Sequence, residues 1–410
     1  MTSLLLLLLA GGLPGTVMVL PPTGISSGAE QGWVGEAVSD LLPRELARLG
    51  VPAIDRFDRL RAHEALAIPP VSVTRATSIR IAEALGASRI VVGSYEAKGP
   101  SLSLALRILD VGRGALSAPL IAEGPPESLP GLVRSLAWDI ALSGPTPITT
   151  TREAFLGPSR SPPYSLVALR SFGQALASRD GGARRKLLKA ALASTPSFDE
   201  ARIALARMQV EARESVAALD TLARVPPGSS SFRQARFLAG RADLDLGRYR
   251  DAAGIFAALS VEAPTPGVLN NYALALLRAG DGSGERASDA LRKAVEVGPG
   301  VAEPPFNLGW ALLTEGDGDA AALCMRGVLR DDPRDIHARI VLVWSLTQAG
   351  RSEEADAEWK PLVAVAPSYE ALANADLGRR FERVMASENP PTLGQDRSQN
   401  ADARRVLKDR

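Results

Sequence analysis

Apolar positions along this chain keep two rhythms, and the change between them divides it. Residues 16–20 (Thr-Val-Met-Val-Leu) form a β-branched run stopped by Pro21 and Pro22, which predicts a strand. Trp33, Val34, Ala37, Val38, Leu41, Leu42 and Leu46 then recur at helical spacing and end at Gly50, which predicts a helix over 30–49. A short strand is expected at 51–54, a helix at 79–85, and strands at 88–95, 102–111 and 115–122. The tight Lys98-Gly99-Pro100 and Gly112-Arg113-Gly114 connections predict antiparallel hairpins. A closing helix is expected at 129–142, completing an α/β domain of two or three layers.

Farther along, the rhythm becomes a repeat. Pro264, Pro299, Pro333 and Pro367 lie 35, 34 and 34 residues apart. The same residue types return in phase before each. Gly240, Gly247, Tyr249, Ala252, Phe256 and Pro264 make one unit; Gly309, Gly316, Ala321, Met325 and Pro333 make another; Gly350, Ala355, Trp359 and Pro367 make a third. A period of 34 with small, small, large and proline punctuation predicts paired helices stacked into a solenoid. The small residues (Gly240, Ala273, Gly309, and Ala252, Ala287, Ala321, Ala355) let the two helices of a unit approach. Gly247, Gly280, Gly316 and Gly350 lie where the chain turns and positive φ is useful. Proline ends the second helix because it has no N–H to donate. Two weaker units are expected upstream, from Tyr164 to Pro196 and over 198–231, and a final helix at 368–387.

This spacing resembles the tetratricopeptide repeat family. The expected architecture is an α/β N-terminal domain followed by an all-α helical-hairpin solenoid of about six repeats, four of them well matched. A second resemblance lies upstream. Val17-Met18-Val19-Leu20-Pro21, Trp33 and Gly35, Asp40-Leu41-Leu42, Ala84-Leu85-Gly86-Ala87, Val91-Val92-Gly93-Ser94 and Leu109-Asp110 with Gly114 look like the TolB-like N-terminal domain. The curli-secretion and flagellar outer-membrane families share that plan. The family usually has Phe after the first-strand proline, where this chain has Pro22. The expected organisation is a short signal peptide over 1–15, a TolB-like domain over 16–145, a linker over 146–162, the solenoid over 163–387 and a disordered, polar tail over 388–410.

Composition narrows the function. Lys and Arg number 47 against 46 Asp and Glu, a formal net charge of +1. No basic stripe stands out, so nucleic acid is not expected as a partner. Arg outnumbers Lys heavily and Ala and Gly abound, which suggests a GC-rich bacterial genome. Cys324 is the single cysteine, so intramolecular disulfides and thiolate zinc sites are excluded, and its place in a repeat reads as core. The apolar run 4–9 before Ala10-Gly11-Gly12 predicts an exported, periplasmic protein. The alternative is a cytoplasmic one. The run is too short to span a bilayer, which takes about 20 apolar residues, and no nearby cysteine offers a lipid anchor.

Catalytic constellations do not survive inspection. Gly24-Ile25-Ser26-Ser27-Gly28 matches G-x-S-x-G, but its strand is the first in the chain, and the only histidines are His63 and His337. Gly280-Asp281-Gly282-Ser283-Gly284 follows a helix and lacks a Gly-Lys-Ser/Thr ending. Residues 315–319 lack the distal bidentate Glu of a calcium loop. Arg184-Arg185-Lys186 reads as a solvated helix face. No enzyme activity, cofactor or metal is expected.

The tetratricopeptide resemblance instead implies a concave groove lined by the first helix of each unit and occupied by a protein or peptide partner. The positions are Gln234, Phe237, Arg241, Asn270, Asn271, Leu274, Phe306, Asn307, Trp310, His337, Trp344 and Gln348. Asn271 and Asn307 occupy the position where family members often hydrogen-bond a peptide backbone. Trp310 and Trp344 suit either a binding hot spot or packing between units. The expected function is a bacterial interaction scaffold, in cell-envelope assembly; the alternative is a sensory module with a small ligand on the N-terminal domain.

Overall fold

The computed structural model describes residues 15–25, 32–69, 74–157, 164–280, 286–365 and 381–388. The chain divides into two compact units, Met1–Leu238 and Ala239–Arg410. The expected linker over 146–162 therefore lies inside the first unit. The expected signal peptide over 1–15, apart from Gly15, and the expected tail beyond 388 lie outside the described residues.

In the first unit a mixed sheet is built from β1 (Val17–Val19), β2 (Thr23–Gly24), β3 (Ala53–Ile54), β4 (Arg89–Lys98), β5 (Ser101–Asp110) and β6 (Leu120–Gly124). Its order is β3-β1-β4-β5-β6, with β2 also paired to β4. β1 runs parallel to β3 and β4, placing Val17 opposite Ala53 and Arg89. The hairpins read from the sequence are present: β4–β5 and β5–β6 are antiparallel. The last strand is corrected. Residues 115–119 make only a bridge, Leu109 to Leu116, and β6 begins at Leu120.

Helices cover both faces of the sheet, so the three-layer reading holds. Strand side chains alternate. Val17, Val19, Leu102, Leu104 and Leu106 pack with α1 (Trp33–Arg48) and α4 (Leu129–Leu142). Met18, Ile90 and Leu109 face the other way, against Ala62 of α2 (Arg56–Ala65) and Ile81 of α3 (Arg75–Ala84). Helix α2 was missed in the sequence because its apolar positions are few; Asp55 caps it, accepting from the Asp58 N–H at 2.7 Å.

After the five-residue α5 (Arg152–Leu156), the core of the sheet continues into α6 (Leu166–Ala177), α7 (Gly181–Ser194) and α8 (Asp199–Glu211). Gly173 of α6 lies so close to α1 that a Cβ would come 2.3 Å from the Trp33 carbonyl oxygen. Arg56 donates to the Leu176 carbonyl at 2.6 Å. Tyr164 stacks on Phe198 at 4.2 Å and donates to Glu200 at 2.9 Å. The first hairpins thus belong to the same compact body as the sheet. The short α9 (Ser215–Leu222) follows α8, and α10 (Phe232–Asp245) leads into the second unit.

That unit continues the helical hairpins with α11 (Tyr249–Glu262), α12 (Pro266–Ala279), α13 (Ala287–Val297), α14 (Glu303–Thr314), α15 (Gly318–Asp331), α16 (Ile336–Gln348) and α17 (Ser352–Val365). The physics read from the repeat is visible in it. Pro264, Pro299 and Pro333 each stand two residues past a helix end. Gly247, Gly316 and Gly350 turn with φ of 74°, 92° and 74°. At Gly309 a Cβ would meet the Met325 Cε at 2.3 Å, so the small residue is what lets α14 and α15 touch. The 315–319 stretch is a turn and cap, with Asp317 accepting from the Ala320 N–H at 3.1 Å. Cys324 is buried, and burial pushes its thiol up to about 12.

One expectation fails. Residues 381–387 are not a closing helix; they run without helix across the first helices of the repeats. Residues 366–380 lie outside the described residues.

Candidate functional site in the helical groove

Three asparagines organise the groove. Asn270 and Asn271 come from α12 and Asn307 from α14, and all three are fully buried. A buried primary amide must find partners for its donors and its acceptor. Here the partners are the main chain of 381–388. The Asn307 amide accepts from the Arg383 N–H at 3.0 Å and donates to the Arg383 carbonyl at 2.9 Å. Asn271 treats Met385 the same way, accepting from its N–H at 2.8 Å and donating to its carbonyl at 2.9 Å. Asn270 ties the set together. It donates to the Arg383 carbonyl at 2.9 Å and to Asn271 at 3.2 Å, and accepts from Asn307 at 2.8 Å.

The geometry imitates strand pairing. Residues 383 and 385 are two apart, and each presents its N–H and C=O to one side chain amide. Main-chain recognition of this kind gives affinity without reading side chains. Beyond it, Gly267 donates its N–H to the Glu388 carbonyl at 2.9 Å. A Cβ on Gly267 would stand 2.0 Å from the Ser387 carbonyl oxygen, so only glycine admits the segment here.

Side chains supply the selective contacts. Phe381 fits among His337, Trp310 and Trp344, with ring centroids 4.6, 6.5 and 6.1 Å away. Arg383 lies over the Phe306 ring, 3.7 Å from its centroid, and pairs with Asp335, the N-cap of α16. Glu382 pairs with Arg278, whose guanidinium also faces Tyr249. Met385 is 1% exposed.

Of the groove positions expected from the sequence, Asn270, Asn271, Phe306, Asn307, Trp310, His337 and Trp344 meet on this segment. Arg241 reaches its end, donating to the Ala386 carbonyl at 3.4 Å. Phe237 and Leu274 are buried. Gln348 donates to the Leu313 carbonyl at 3.2 Å, a bond between repeats. Gln234 belongs to the first unit, where it accepts from Arg44 at 2.8 Å. The sequence reading missed Gly267, Arg278 and Asp335, and the segment itself. No local signal marked the segment as extended: its apolar residues Phe381, Val384 and Met385 stand at helical spacing.

The tetratricopeptide repeat family model matches three overlapping stretches, 237–302, 272–336 and 306–360. Residues 237–360 are tetratricopeptide repeats. Repeats of this family generally mediate protein–protein interaction, and the groove described above lies within the matched residues except for its seated segment. Among solved structures the chain is similar to YrrB, titled "a TPR protein with an unusual peptide-binding site", at 19% identity over 45% of this chain and 94% of that one, TM-score 0.39. It is also similar to the MamA protein, at 16% identity over 42% and 94%, TM-score 0.36. No curated protein matches the chain. Among the described residues, no helix is long and apolar enough to cross a membrane, and no cluster of three or more His, Cys, Asp or Glu side chains could hold a metal ion.

Proposed function

We propose that this protein is a non-enzymatic interaction scaffold that holds an extended segment of a protein partner in the groove where residues 381–388 lie. The two-ended asparagine contacts to Arg383 and Met385 carry this reading, because they make a site for any extended main chain. The seated segment is then an internal ligand, and a partner segment with an aromatic residue, a basic residue two on, and an apolar residue four on competes for its place. The TolB-like resemblance of the first unit and the apolar run at the N-terminus support an exported bacterial protein acting in cell-envelope assembly; fractionation of the native host tests that part.

Binding of a labelled peptide with the sequence of residues 381–388 tests the groove. The full chain is expected to bind it weakly. A chain carrying Phe381→Ser, Arg383→Gly and Met385→Gly has a weakened internal ligand and is expected to bind it strongly. Adding Asn271→Ala and Asn307→Ala should remove that binding. A folded triple variant that ignores the peptide refutes the reading.

A further inference from the structure

We infer that the first unit carries a second binding site, for a small organic acid, at the carboxyl end of β1. The sheet order places it. From β1 the chain crosses to β3 on one side and then returns to β4 on the other. A crevice opens where strand order reverses in this way, and it is the usual ligand position in open α/β sheets. Here a cavity of about 450 Å³ occupies that place, lined by Pro21 and Pro22 just after β1 and by side chains of α1, α2, α3, β4 and β5. Its size falls in the ordinary range for small-molecule sites, roughly 300–1,000 Å³.

Two of its lining side chains are buried and incompletely paired. Arg59 of α2 is 3% exposed, and its Nε has no hydrogen-bond partner. Its one hydrogen bond among the described residues, Nη2 to the Ser39 hydroxyl, is long at 3.5 Å. The nearby carboxylate of Glu36 is engaged by Arg56 at 2.8 Å. Taking the guanidinium out of water is costly, and burial lowers Arg59 to about 10. The carboxylates of Glu36, Asp40 and Asp55 act favourably on Arg59, but each is ion-paired to another arginine. Arg75, at the start of α3, lines the same cavity.

His63, one turn on from Arg59, is 2% exposed. Its Nδ1 lies 3.1 Å from the Ile68 carbonyl. A carbonyl can only accept, so Nδ1 carries the proton and Nε2 is left with a lone pair. Among the described residues that Nε2 has no hydrogen-bond partner, and it is closed off from solvent. The cavity therefore offers the cations of Arg59 and Arg75 beside the carboxylate of Glu36, and an apolar wall that includes Leu109. The ligand that fits has a carboxylate or phosphate against Arg59 and Arg75 and an apolar body.

Calorimetric titration of the full chain with mandelate and with phenyl phosphate, using benzyl alcohol as the uncharged control, tests the site. Both acids are expected to bind the wild type and the alcohol hardly at all. Arg59→Met and, on the exposed start of α3, Arg75→Ala should each weaken the acids about tenfold or more, the scale of a charge-assisted pair. Arg59→Met should also raise the Tm of the ligand-free chain, because it removes a buried charge whose desolvation the neighbouring carboxylates do not offset. A wild type that binds neither acid at millimolar concentration overturns the proposal. Binding that survives both substitutions does so too, as does a lower Tm for Arg59→Met, which would make Arg59 a structural ion.

Discussion

Two interiors of this molecule treat buried polar groups in opposite ways. In the second unit Asn270, Asn271 and Asn307 are fully buried and every one is bonded to the segment 383–385 or to another of the three. In the first unit Arg59 and His63 are as deeply buried, and Arg59 Nε and His63 Nε2 have nothing to bond. Polar groups cost free energy when buried alone and return it when paired. On the function proposed above, the groove is a recognition site with an internal ligand in place, and the inferred cavity site is one that takes its ligand from outside.

The largest effect should come from emptying the groove. Phe381→Ala removes an aromatic anchor held by His337, Trp310 and Trp344. It is expected to weaken the seated segment by about 3 kcal/mol, the scale of a buried Phe→Ala change. Faster amide hydrogen exchange at Arg383 and Met385 would report it; unchanged exchange there would mean that the segment is held by the main chain alone. Asn271→Ala leaves the Met385 N–H and C=O unpaired and should cost about 2 kcal/mol, with exchange accelerated most at Met385. An even acceleration along 381–388 would dissolve the residue-by-residue account of the asparagine contacts.

A smaller effect of opposite sign is expected in the first unit. Arg59→Met should stabilise the ligand-free chain by about 1 kcal/mol, since an apolar side chain of similar reach replaces an unpaired buried charge. Thermal unfolding reads the sign directly.

The remaining effects are those of pH, and the two units should respond at opposite ends of the scale. Burial lowers His63 from 6.5, with Arg59 adding to it. The unfolded chain therefore takes up the proton first, and stability is lost as pH falls below about 6.5. Burial raises Cys324 from 9.0 to about 12. There the unfolded chain releases its proton first, so stability is lost as pH rises from about 9 towards 12. Denaturant titrations of His63→Gln and Cys324→Ala chains should flatten the acid and alkaline limbs respectively. A thiol reagent that modifies folded Cys324 at neutral pH would contradict its burial.

Much of the fold was legible because periodicity is a local property. The helix Leu129–Leu142 and the strand at Val17–Val19 announce themselves by apolar spacing, and the hairpins by their glycines and prolines. The repeats were legible because their proline and glycine marks recur at one period. Helix α2 escaped, since a cap at Asp55 and few apolar residues leave a weak pattern. The groove was half legible: the repeat register located Asn271 and Asn307 but gave no sign of what they hold. Gly267 carried no local signal, because the carbonyl it makes room for belongs to Ser387.

The sequence by itself determined most of the elements and the stacking of helical hairpins. Each follows from residue types at short spacing, where a side chain's preference acts on its own backbone and nearest turn. Tertiary structure alone decided that residues 383 and 385 meet amides 76 and 114 positions away. It also decided that an incompletely paired arginine and histidine of α2 line a cavity. Main-chain hydrogen bonds are the same for every residue type, so a segment held through its backbone leaves little trace in sequence. Burial, in turn, depends on which distant surfaces are brought together, and no local pattern records that.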